Sequence, residues 1–471
     1  MCRNLGMIGL LAFVGVFVLA PMQSAIAASP QRPGDDPTDL AEVRKNFKAA
    51  QKDLVQKVRS GIEADRIEAM IALREFPLQD AARMSMNVLD DANAEVRKEA
   101  HETIVSFHKH AHVCKLYLGQ LRTESRRQGW NAVSYSLLFA LAMSPDEEMQ
   151  AEFINMVDMH ATARPNNLLI LNEVIEGLGA RGDDDALAGL RTFGNSRLIA
   201  ADFGFRRGLI QAIIAIRTSA AVDLLVELLP HINGEVQGDA IKYLTAISGE
   251  RFGDNADHWS LWWERNRDGF EFPNALESPA DVMAAFAAEG TATYYDLPIF
   301  AQRMVFIIDC SGSMNRRGRM AAAKRELIDA INALSDEKYF NIVAYNSRVG
   351  PWQPDLQQAT TLAKATAARW IESLRAEELT ASYDALEATF GFKNLEAIYF
   401  VSDGAPTTGK IVDKEEIVEA VREGNRIHRV TLYTIGIEPD EDPENSFEGF
   451  LKALAQENYG LYRPVGDFSK K

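Results

Sequence analysis

Met304-Val-Phe-Ile-Ile-Asp-Cys-Ser-Gly-Ser313 is a short apolar run that ends abruptly in small oxygen-bearing side chains. A continuous apolar run of this length is typical of a strand buried on both faces of a parallel sheet. Asp309, Ser311 and Ser313 follow at its carboxyl end, which is where open α/β sheets bind their ligands. One carboxylate and two hydroxyls suit a hard cation such as Mg²⁺ that keeps part of its water. Taken alone, the pattern also fits a polar strand-to-helix loop that binds nothing.

After Ser313 the chain alternates between helical and strand patterns. Helices are predicted over 318–334, 356–375, 382–390, 414–428 and 447–456, and strands over 339–345, 397–401, 430–437 and 461–465. Strands that alternate with helices in this way predict an α/β doubly wound, mostly parallel sheet with helices on both faces. The segment from about 303 to 465 resembles a von Willebrand factor A domain, and we predict a domain of this kind over residues 300–468.

Three separated loops carry this resemblance. They contain Asp309, Ser311 and Ser313 in Asp-x-Ser-x-Ser, Thr380 in Leu-Thr-Ala-Ser-Tyr-Asp, and Asp403 in Val-Ser-Asp-Gly-Ala-Pro-Thr. The resemblance implies a metal-ion-dependent adhesion site in which the three hydroxyls bind a divalent ion, Mg²⁺ or else Mn²⁺ or Ca²⁺. The two aspartates would hold the ion directly or through water. The resemblance also implies an open coordination position, which an acidic side chain of a partner protein can fill.

The loop before Thr380 departs from the family pattern. Many members have glycine before the threonine, whereas this chain has Leu379, with Glu377 and Glu378 just upstream. A bulkier and more acidic loop can repel acidic ligands or restrict the approach of the threonine. The departure therefore bears on ligand binding more than on the metal.

The residues from about 40 to 266 have a helical pattern with an internal repeat. Asn93-Ala-Glu-Val-Arg-Lys-Glu-Ala matches Asn233-Gly-Glu-Val-Gln-Gly-Asp-Ala at its Asn, Glu, Val and Ala positions. Both asparagines lie where a helix N-cap belongs, with a glutamate in the first turn. The spacing of Asp91, Val96-Arg97 and Ala100 resembles HEAT repeats, which implies an α-solenoid with a concave protein-binding face. We predict this helical-repeat domain over 40–270 and a linker over 271–299.

The N-terminus has the pattern of an export signal. Arg3 is followed by an uncharged run to Ala27 that ends in the small-x-small signal Ala25-Ile26-Ala27. We predict a cleaved signal peptide over 1–27, a flexible leader over 28–39, and no membrane span after cleavage. The mature protein is then expected outside the cytoplasm, as a periplasmic, cell-surface or secreted protein.

Net charge and missing motifs argue against several classes of partner and of enzyme. The formal net charge of −17 argues against nucleic acid or an anionic membrane surface as the partner. No Gly-x-Ser-x-Gly occurs, and no histidine is placed in the sequence to activate Ser311 or Ser313. These observations favour a non-enzymatic, metal-dependent protein-binding protein with an adhesion or scaffold role. Two alternatives stay open: a scaffold with a closed metal site in which only the solenoid binds partners, and a metal-assisted hydrolase, for which the three loops offer no general base.

Overall fold

A computed structural model of the chain describes residues 40–127, 132–163, 168–194, 202–273, 292–438 and 446–466. The predicted signal peptide, the leader and most of the predicted linker lie outside these residues and stay predictions. Within the described ranges, none of the helices has the length and apolar character that crossing a membrane requires. The chain divides into two compact units, the first ending at Phe193 and the second beginning at Gly194.

The described part of the first unit is helical. Its helices are α1 Leu40–Val58, α2 Glu63–Leu73, α3 Gln79–Met86, α4 Ala94–Ser106, α5 Ala111–Arg127, α6 Ala132–Ala142, α7 Glu147–Ala163, α8 Leu168–Arg181 and α9 Asp185–Gly194. Helices α2, α4, α6 and α8 contact one another in that order, and α3, α5 and α7 form a second row. Stacked pairs of helices produce such an order, because each pair buries its apolar face against the next.

The repeat motif of α4 shows how one pair is fixed. Val96, Ala100 and Ile104 recur every four residues and are fully buried. The side chain of Asn93 accepts a hydrogen bond from the backbone N–H of Val96 at 3.0 Å, as an N-cap should. The guanidinium of Arg97 donates to the carbonyl groups of residues 91 and 92, and it therefore ties the preceding turn to the helix.

The second unit begins with four more helices and continues into the sheet. The helices are α10 Phe203–Ile216, α11 Ser219–Leu228, α12 Gly234–Ser248 and α13 Ala256–Asn266. Here too the contacts run in two rows, with α10 against α12 and α11 against α13. The fold class predicted from the sequence is confirmed in its broad form: a helical region is followed by an α/β domain with a mostly parallel sheet.

The sheet of the second unit is built around the opening stretch of sequence. The strands are β1 Thr293–Tyr294, β2 Leu297–Pro298, β3 Arg303–Asp309, β4 Tyr339–Tyr345, β5 Val349–Pro351, β6 Gln357–Gln358, β7 Ala397–Ser402, β8 Thr431–Ile437 and β9 Tyr462–Val465. Strands β1 and β2 form a separate hairpin, and the described residues of the main sheet have the order β5-β4-β3-β7-β8-β9. In the run β4-β3-β7-β8-β9 each strand is parallel to its neighbour. Strands β5 and β6 pair with β4 antiparallel.

Helices cover both faces of this sheet, as predicted. They are α14 Arg319–Ala333, α15 Thr361–Ser373, α16 Ser382–Thr389, α17 Lys414–Asn425 and α18 Ser446–Gln456. Alternate residues of β3 enter two separate cores: Phe306 and Ile308 pack with α14 and α15, whereas Val305 and Ile307 pack with α16, α17 and α18. This burial on both faces explains why β3 reads as a continuous apolar run.

A buried polar junction joins α10 and α12 to the amino-terminal ends of the strands. Arg207, only 1% exposed, donates to the carbonyl oxygen of Arg429 at 2.7 Å and to the hydroxyl of Thr431 at 2.6 Å. The same guanidinium pairs with the carboxylate of Asp239 at 2.7 and 3.1 Å. The cation is therefore satisfied by both layers, as a buried charge must be.

Two carboxyl groups lie in the same junction. Glu235 is fully buried and accepts hydrogen bonds from the hydroxyls of Thr431 and Tyr433, each at 3.2 Å. Glu396 accepts from the backbone N–H groups of Glu235 at 3.2 Å and Gln302 at 2.9 Å. Glu235 lies in the first turn of α12, as the repeat predicts, and its carboxylate also lies against the strands, which the repeat does not predict.

Candidate functional site

The five predicted site residues lie at the carboxyl edge of the sheet, at the end of β3 and in the segments that follow the strands. Asp309 is the last residue of β3, and Asp403 directly follows β7, its parallel neighbour. The carboxyl ends of adjacent parallel strands meet at one edge, so these two loops are close although 94 residues separate the aspartates. Thr380 lies in the connection between α15 and α16.

Hydrogen bonds fasten the three loops to one another. The backbone N–H of Gly312 donates to the carbonyl of Glu378 at 3.1 Å, and that of Glu377 donates to the carbonyl of Cys310 at 2.8 Å. The carbonyl of Thr380 accepts from the N–H groups of Thr407 at 2.9 Å and residue 408 at 3.2 Å. The threonine loop is therefore held by backbone contacts to both of the other loops.

Four of the predicted residues are linked directly through their own atoms. The hydroxyl oxygens of Ser311 and Ser313 are 2.9 Å apart, and the hydroxyl of Ser313 donates to Asp403 Oδ1 at 2.6 Å. Asp309 Oδ1 accepts from the backbone N–H of Ser311 at 2.7 Å. We call Ser311, Ser313 and Asp403 the hydroxyl–carboxylate chain. Thr380 is only 5% exposed and joins the other loops through its backbone.

The spacing in this chain fits a small octahedral ion. Neighbouring ligands of Mg²⁺, with bonds of 2.0–2.1 Å, lie about 3 Å apart along the octahedron's edges. The oxygen–oxygen distances of 2.9 and 2.6 Å are of that size. The donor set is all oxygen, with two carboxylates and three hydroxyls, which suits a hard cation. Among the described residues there is no group of three or more His, Cys, Asp and Glu side chains that could hold a metal.

Asp309 is the most enclosed carboxylate of the site. It is fully buried, and its Oδ2 accepts from the hydroxyls of Ser402 at 2.8 Å and Tyr345 at 3.2 Å. Burial raises the pKa of Asp309 to about 6, and the negative charge of Asp403 acts in the same direction. Its hydrogen-bond donors are neutral, so the folded protein holds this negative charge at a cost.

The second oxygen of Asp403 makes a contact that the sequence did not predict. Asp403 Oδ2 accepts from Nη1 of Arg319 at 2.8 Å, and the same guanidinium donates to Glu438 Oε2 at 2.9 and 2.5 Å. Arg319 is 2% exposed. Arg319 and Glu438 had no signal in the sequence, because a charged residue at the start of a helix ordinarily lies at the surface. Tyr345 had a weak signal in the sequence, because it ends the predicted strand 339–345, and the observed register pairs it with Asp309.

Neither Leu379 nor Cys310 offers a side-chain oxygen to the site. Leu379 is 53% exposed, and its backbone N–H donates to the hydroxyl of Ser347 at 3.2 Å. Glu378 before it has a φ of 68°, in the left-handed region that L-residues rarely adopt. Cys310 packs in a core, where burial raises the pKa of its thiol to about 12. Cys310 is therefore not a thiolate at neutral pH.

Comparison with known proteins identifies the α/β part of the second unit. Residues 302–464 match the family described as von Willebrand factor type A domain. This part of the chain is a von Willebrand factor type A domain, as the three loops predicted.

Curated relatives align over a similar share of the chain. Inter-alpha-trypsin inhibitor heavy chain H3 of Mus musculus is 27% identical over 209 residues, which is 40% of this chain and 22% of that protein. Heavy chain H2 of Homo sapiens is 29% identical over 178 residues, 35% of this chain and 18% of the relative. The chain thus covers about a fifth of the length of these relatives.

Solved structures give partial similarities. A von Willebrand factor type A protein from Catenulispora acidiphila has a TM-score of 0.31 and 23% identity, over 36% of this chain and 39% of its own. Proximal thread matrix protein 1 from the mussel byssus has a TM-score of 0.28 and 17% identity, over 35% and 41% of the two chains.

Proposed function

We propose that this chain is an exported, non-enzymatic protein that binds another protein through a divalent ion. The ion would be held by Asp309, Ser311, Ser313, Thr380 and Asp403, and the oxygen spacing suits Mg²⁺, with Mn²⁺ or Ca²⁺ as the alternatives. The observation that supports this proposal most directly is the hydroxyl–carboxylate chain. Its oxygens have the spacing of octahedral ligands and lie at the ligand-binding edge of the sheet. The helical repeats would supply a second protein-binding surface.

Charge accounts for the preference for an acidic partner. The three hydroxyls neutralise none of the ion's charge, and Arg319 already neutralises part of the charge on Asp403. The bound ion would therefore keep an attraction for one more carboxylate, which a partner protein can supply. The chain's residues fix the position of that ion, while the fastened loops keep their geometry before the partner arrives.

The comparisons support a binding role in general terms. The matched domain is von Willebrand factor type A, and the curated relatives carry the name of heavy chains of a trypsin inhibitor. A name of that kind favours a protein partner over a small-molecule substrate.

A capture experiment tests the proposal. The full mature chain would be immobilised and exposed to the extracytoplasmic fraction of its source, with Mg²⁺ or with a chelator. We expect a protein that is retained with Mg²⁺ and released by the chelator. Ser313→Ala should abolish its retention, since it removes a hydroxyl from the hydroxyl–carboxylate chain. Ser373→Ala is the matched control, because Ser373 is exposed at the end of α15. Equal retention with chelator would contradict the proposal.

One observation favours the closed-site scaffold as a second candidate. Each oxygen of Asp309 and Asp403 already accepts a hydrogen bond from the protein, and the Asp403 side chain is fully covered. The loops could then be satisfied without presenting an ion to a partner. In that case the capture experiment would retain a partner on wild type and on Ser313→Ala alike, with or without chelator.

A further inference from the structure

Arg319 bridges the predicted site to the end of the neighbouring strand β8. Its Nη1 donates to Asp403 Oδ2 at 2.8 Å, and its Nε and Nη2 donate to Glu438 Oε2 at 2.9 and 2.5 Å. All three side chains are at least nine-tenths buried. Charge-assisted hydrogen bonds from the planar fork of an arginine fix geometry as well as charge.

Glu438 is a firm anchor for this bridge. Its backbone N–H donates to the carbonyl of Val465 at 2.8 Å, and its φ of 48° lies in the left-handed region. A residue other than glycine in this region costs energy and persists only where its surroundings hold it. Arg319 is thus held from two sides and cannot follow Asp403 if that carboxylate turns.

The bridge determines how Asp403 can meet an ion. Oδ2 faces the guanidinium, so only Oδ1, which already contacts Ser313, is on the side of the hydroxyl–carboxylate chain. Asp309 is restricted similarly, because Oδ2 faces Ser402 and Tyr345. Both carboxylates therefore offer one oxygen each. Mg²⁺ accepts this arrangement within six-fold coordination, whereas Ca²⁺ takes 6–8 oxygens and gains from carboxylates that bind with both.

We propose that Arg319 is a positioning residue that makes the site select Mg²⁺ over Ca²⁺, by holding Asp403 to a single available oxygen. This inference rests on the proposed function, since it presupposes that an ion binds there. It adds a residue that touches no ion and determines which ion is preferred. The positive charge of Arg319 opposes both dications equally, so the ratio of their dissociation constants isolates the geometric effect.

Calorimetric titration of the full chain with Mg²⁺ and with Ca²⁺ tests the inference. Wild type should bind Mg²⁺ more tightly. Arg319→Met should lower the ratio of the Ca²⁺ to the Mg²⁺ dissociation constant by about tenfold, because Asp403 gains freedom to bind with both oxygens. Arg319→Lys should also lower it, since one ammonium cannot span Asp403 and Glu438 as the fork does. Arg317→Met is the matched control: Arg317 contacts the same Glu438 oxygen at 3.4 Å, but its side chain is 56% exposed.

The outcomes separate the inference from the function on which it rests. If wild type binds neither ion, the proposed metal-dependent function fails. If wild type binds both ions but its ratio is unchanged in Arg319→Met, the inference is overturned while the function stands. A wild-type ratio in Arg319→Lys would overturn it too, because the fork that holds both Asp403 and Glu438 would then not be what sets selectivity. Melting curves recorded without ions establish that each variant folds. If Arg319→Met does not fold, the ratio in Arg319→Lys decides the matter.

Discussion

At the residue scale, Asp309 carries the strongest physical argument for an ion. It is a fully buried carboxylate whose hydrogen-bond donors, Ser311, Tyr345 and Ser402, are all neutral. Holding such a charge without a cation is costly, and its raised pKa of about 6 expresses that cost. A cation that binds only the folded protein would relieve it.

Mg²⁺ is therefore expected to raise the melting temperature of the second unit. An ion at a hundredfold excess over its dissociation constant stabilises the folded state by about 2.7 kcal/mol. Asp309→Ala should abolish most of this rise, because it removes a ligand carboxylate. Leu379→Ala is the control and should keep the rise, since Leu379 is exposed and offers no side-chain oxygen. Calorimetric melts of the mature chain at neutral pH measure this, and a wild-type melt unmoved by millimolar Mg²⁺ would remove the metal site.

The buried carboxyl group of Glu396 is expected to make the stability of the fold depend on pH. Burial raises the pKa of Glu396 to about 7, and the charge of Glu235 acts in the same direction against two backbone hydrogen bonds and Arg206. The nearby ammonium of Lys338 has its own pKa lowered by burial. A carboxyl whose folded pKa exceeds its unfolded value of 4.5 binds its proton more tightly in the folded state. Stability therefore falls as pH rises from about 4.5 to about 7.

Glu396→Gln should remove that loss while keeping an oxygen for the two backbone donors. The free energy of unfolding of wild type relative to Glu396→Gln should drop by about 3 kcal/mol between pH 4.5 and 8. Chemical denaturation at both pH values measures the difference. Glu372→Gln, on the exposed face of α15, should show no such change. An equal difference between wild type and Glu396→Gln at both pH values would refute the buried, protonated state.

At the element scale, the sequence predicted the strands whose bounds follow from a local run of apolar residues. Strand β4 matches its predicted bounds, and β3, β7, β8 and β9 match within one or two residues, because buried parallel strands read as apolar runs. Strands β5 and β6 were missed, and α15 begins five residues later than predicted. A strand of two or three residues has no periodicity, and β6 exists only because Gln357 and Gln358 pair with β4.

The site shows the same limit. Asp309, Ser311 and Ser313 follow from residue types at the end of a predicted strand, whereas Thr380 and Asp403 were implied by the resemblance to a von Willebrand factor A domain. The contacts that orient them could not be predicted from sequence: Arg319 meets Asp403 across 84 residues, and Ser402 meets Asp309 across 93. Their side chains depend on the strand order, which reverses at β3 and which no local pattern contains.

The two copies of the repeat motif allow an element-scale prediction. Asn93 caps α4 with its side chain, whereas Asn233 precedes α12 without a side-chain cap hydrogen bond. Asn93→Ala should therefore cost about 1 kcal/mol of stability, as loss of an N-cap does. Asn233→Ala, its matched control from the same motif, should cost only a few tenths of that. Amide hydrogen exchange in α4 and α12 measures both, and equal losses would contradict the assignment of the caps.

At the scale of the whole molecule, the predicted export is testable directly. The uncharged segment ending in Ala25-Ile26-Ala27 predicts cleavage after residue 27. N-terminal sequencing of the protein from its source should find a mature chain that begins near Ala28. Recovery of the intact Met1 terminus from the cytoplasm would refute export, and with it the extracytoplasmic partner.

The junction between helices and sheet bears on where the chain divides. The predicted boundary near residue 270 stays a prediction about which part folds by itself. The two compact units divide near residue 194, and Arg207 and Glu235 are buried against Thr431 and Tyr433 of β8. A cut at residue 300 would remove both of these partners and expose the amino-terminal edge of the sheet.

A fragment of residues 194–471 should accordingly be more stable than one of residues 300–471. The shorter fragment loses the apolar and polar contacts of α10 and α12, and each kcal/mol lost lowers the melting temperature by about 2–4 °C at this size. We expect its transition to lie at least about 5 °C lower, while the longer fragment melts with the second transition of the mature chain. Calorimetry of the three proteins without added ions decides this. Equal melting temperatures of the two fragments would show that the junction contributes no net stability. The desolvation cost of burying Arg207, Glu235 and Glu396 would then equal the free energy gained from their hydrogen bonds and ion pairs.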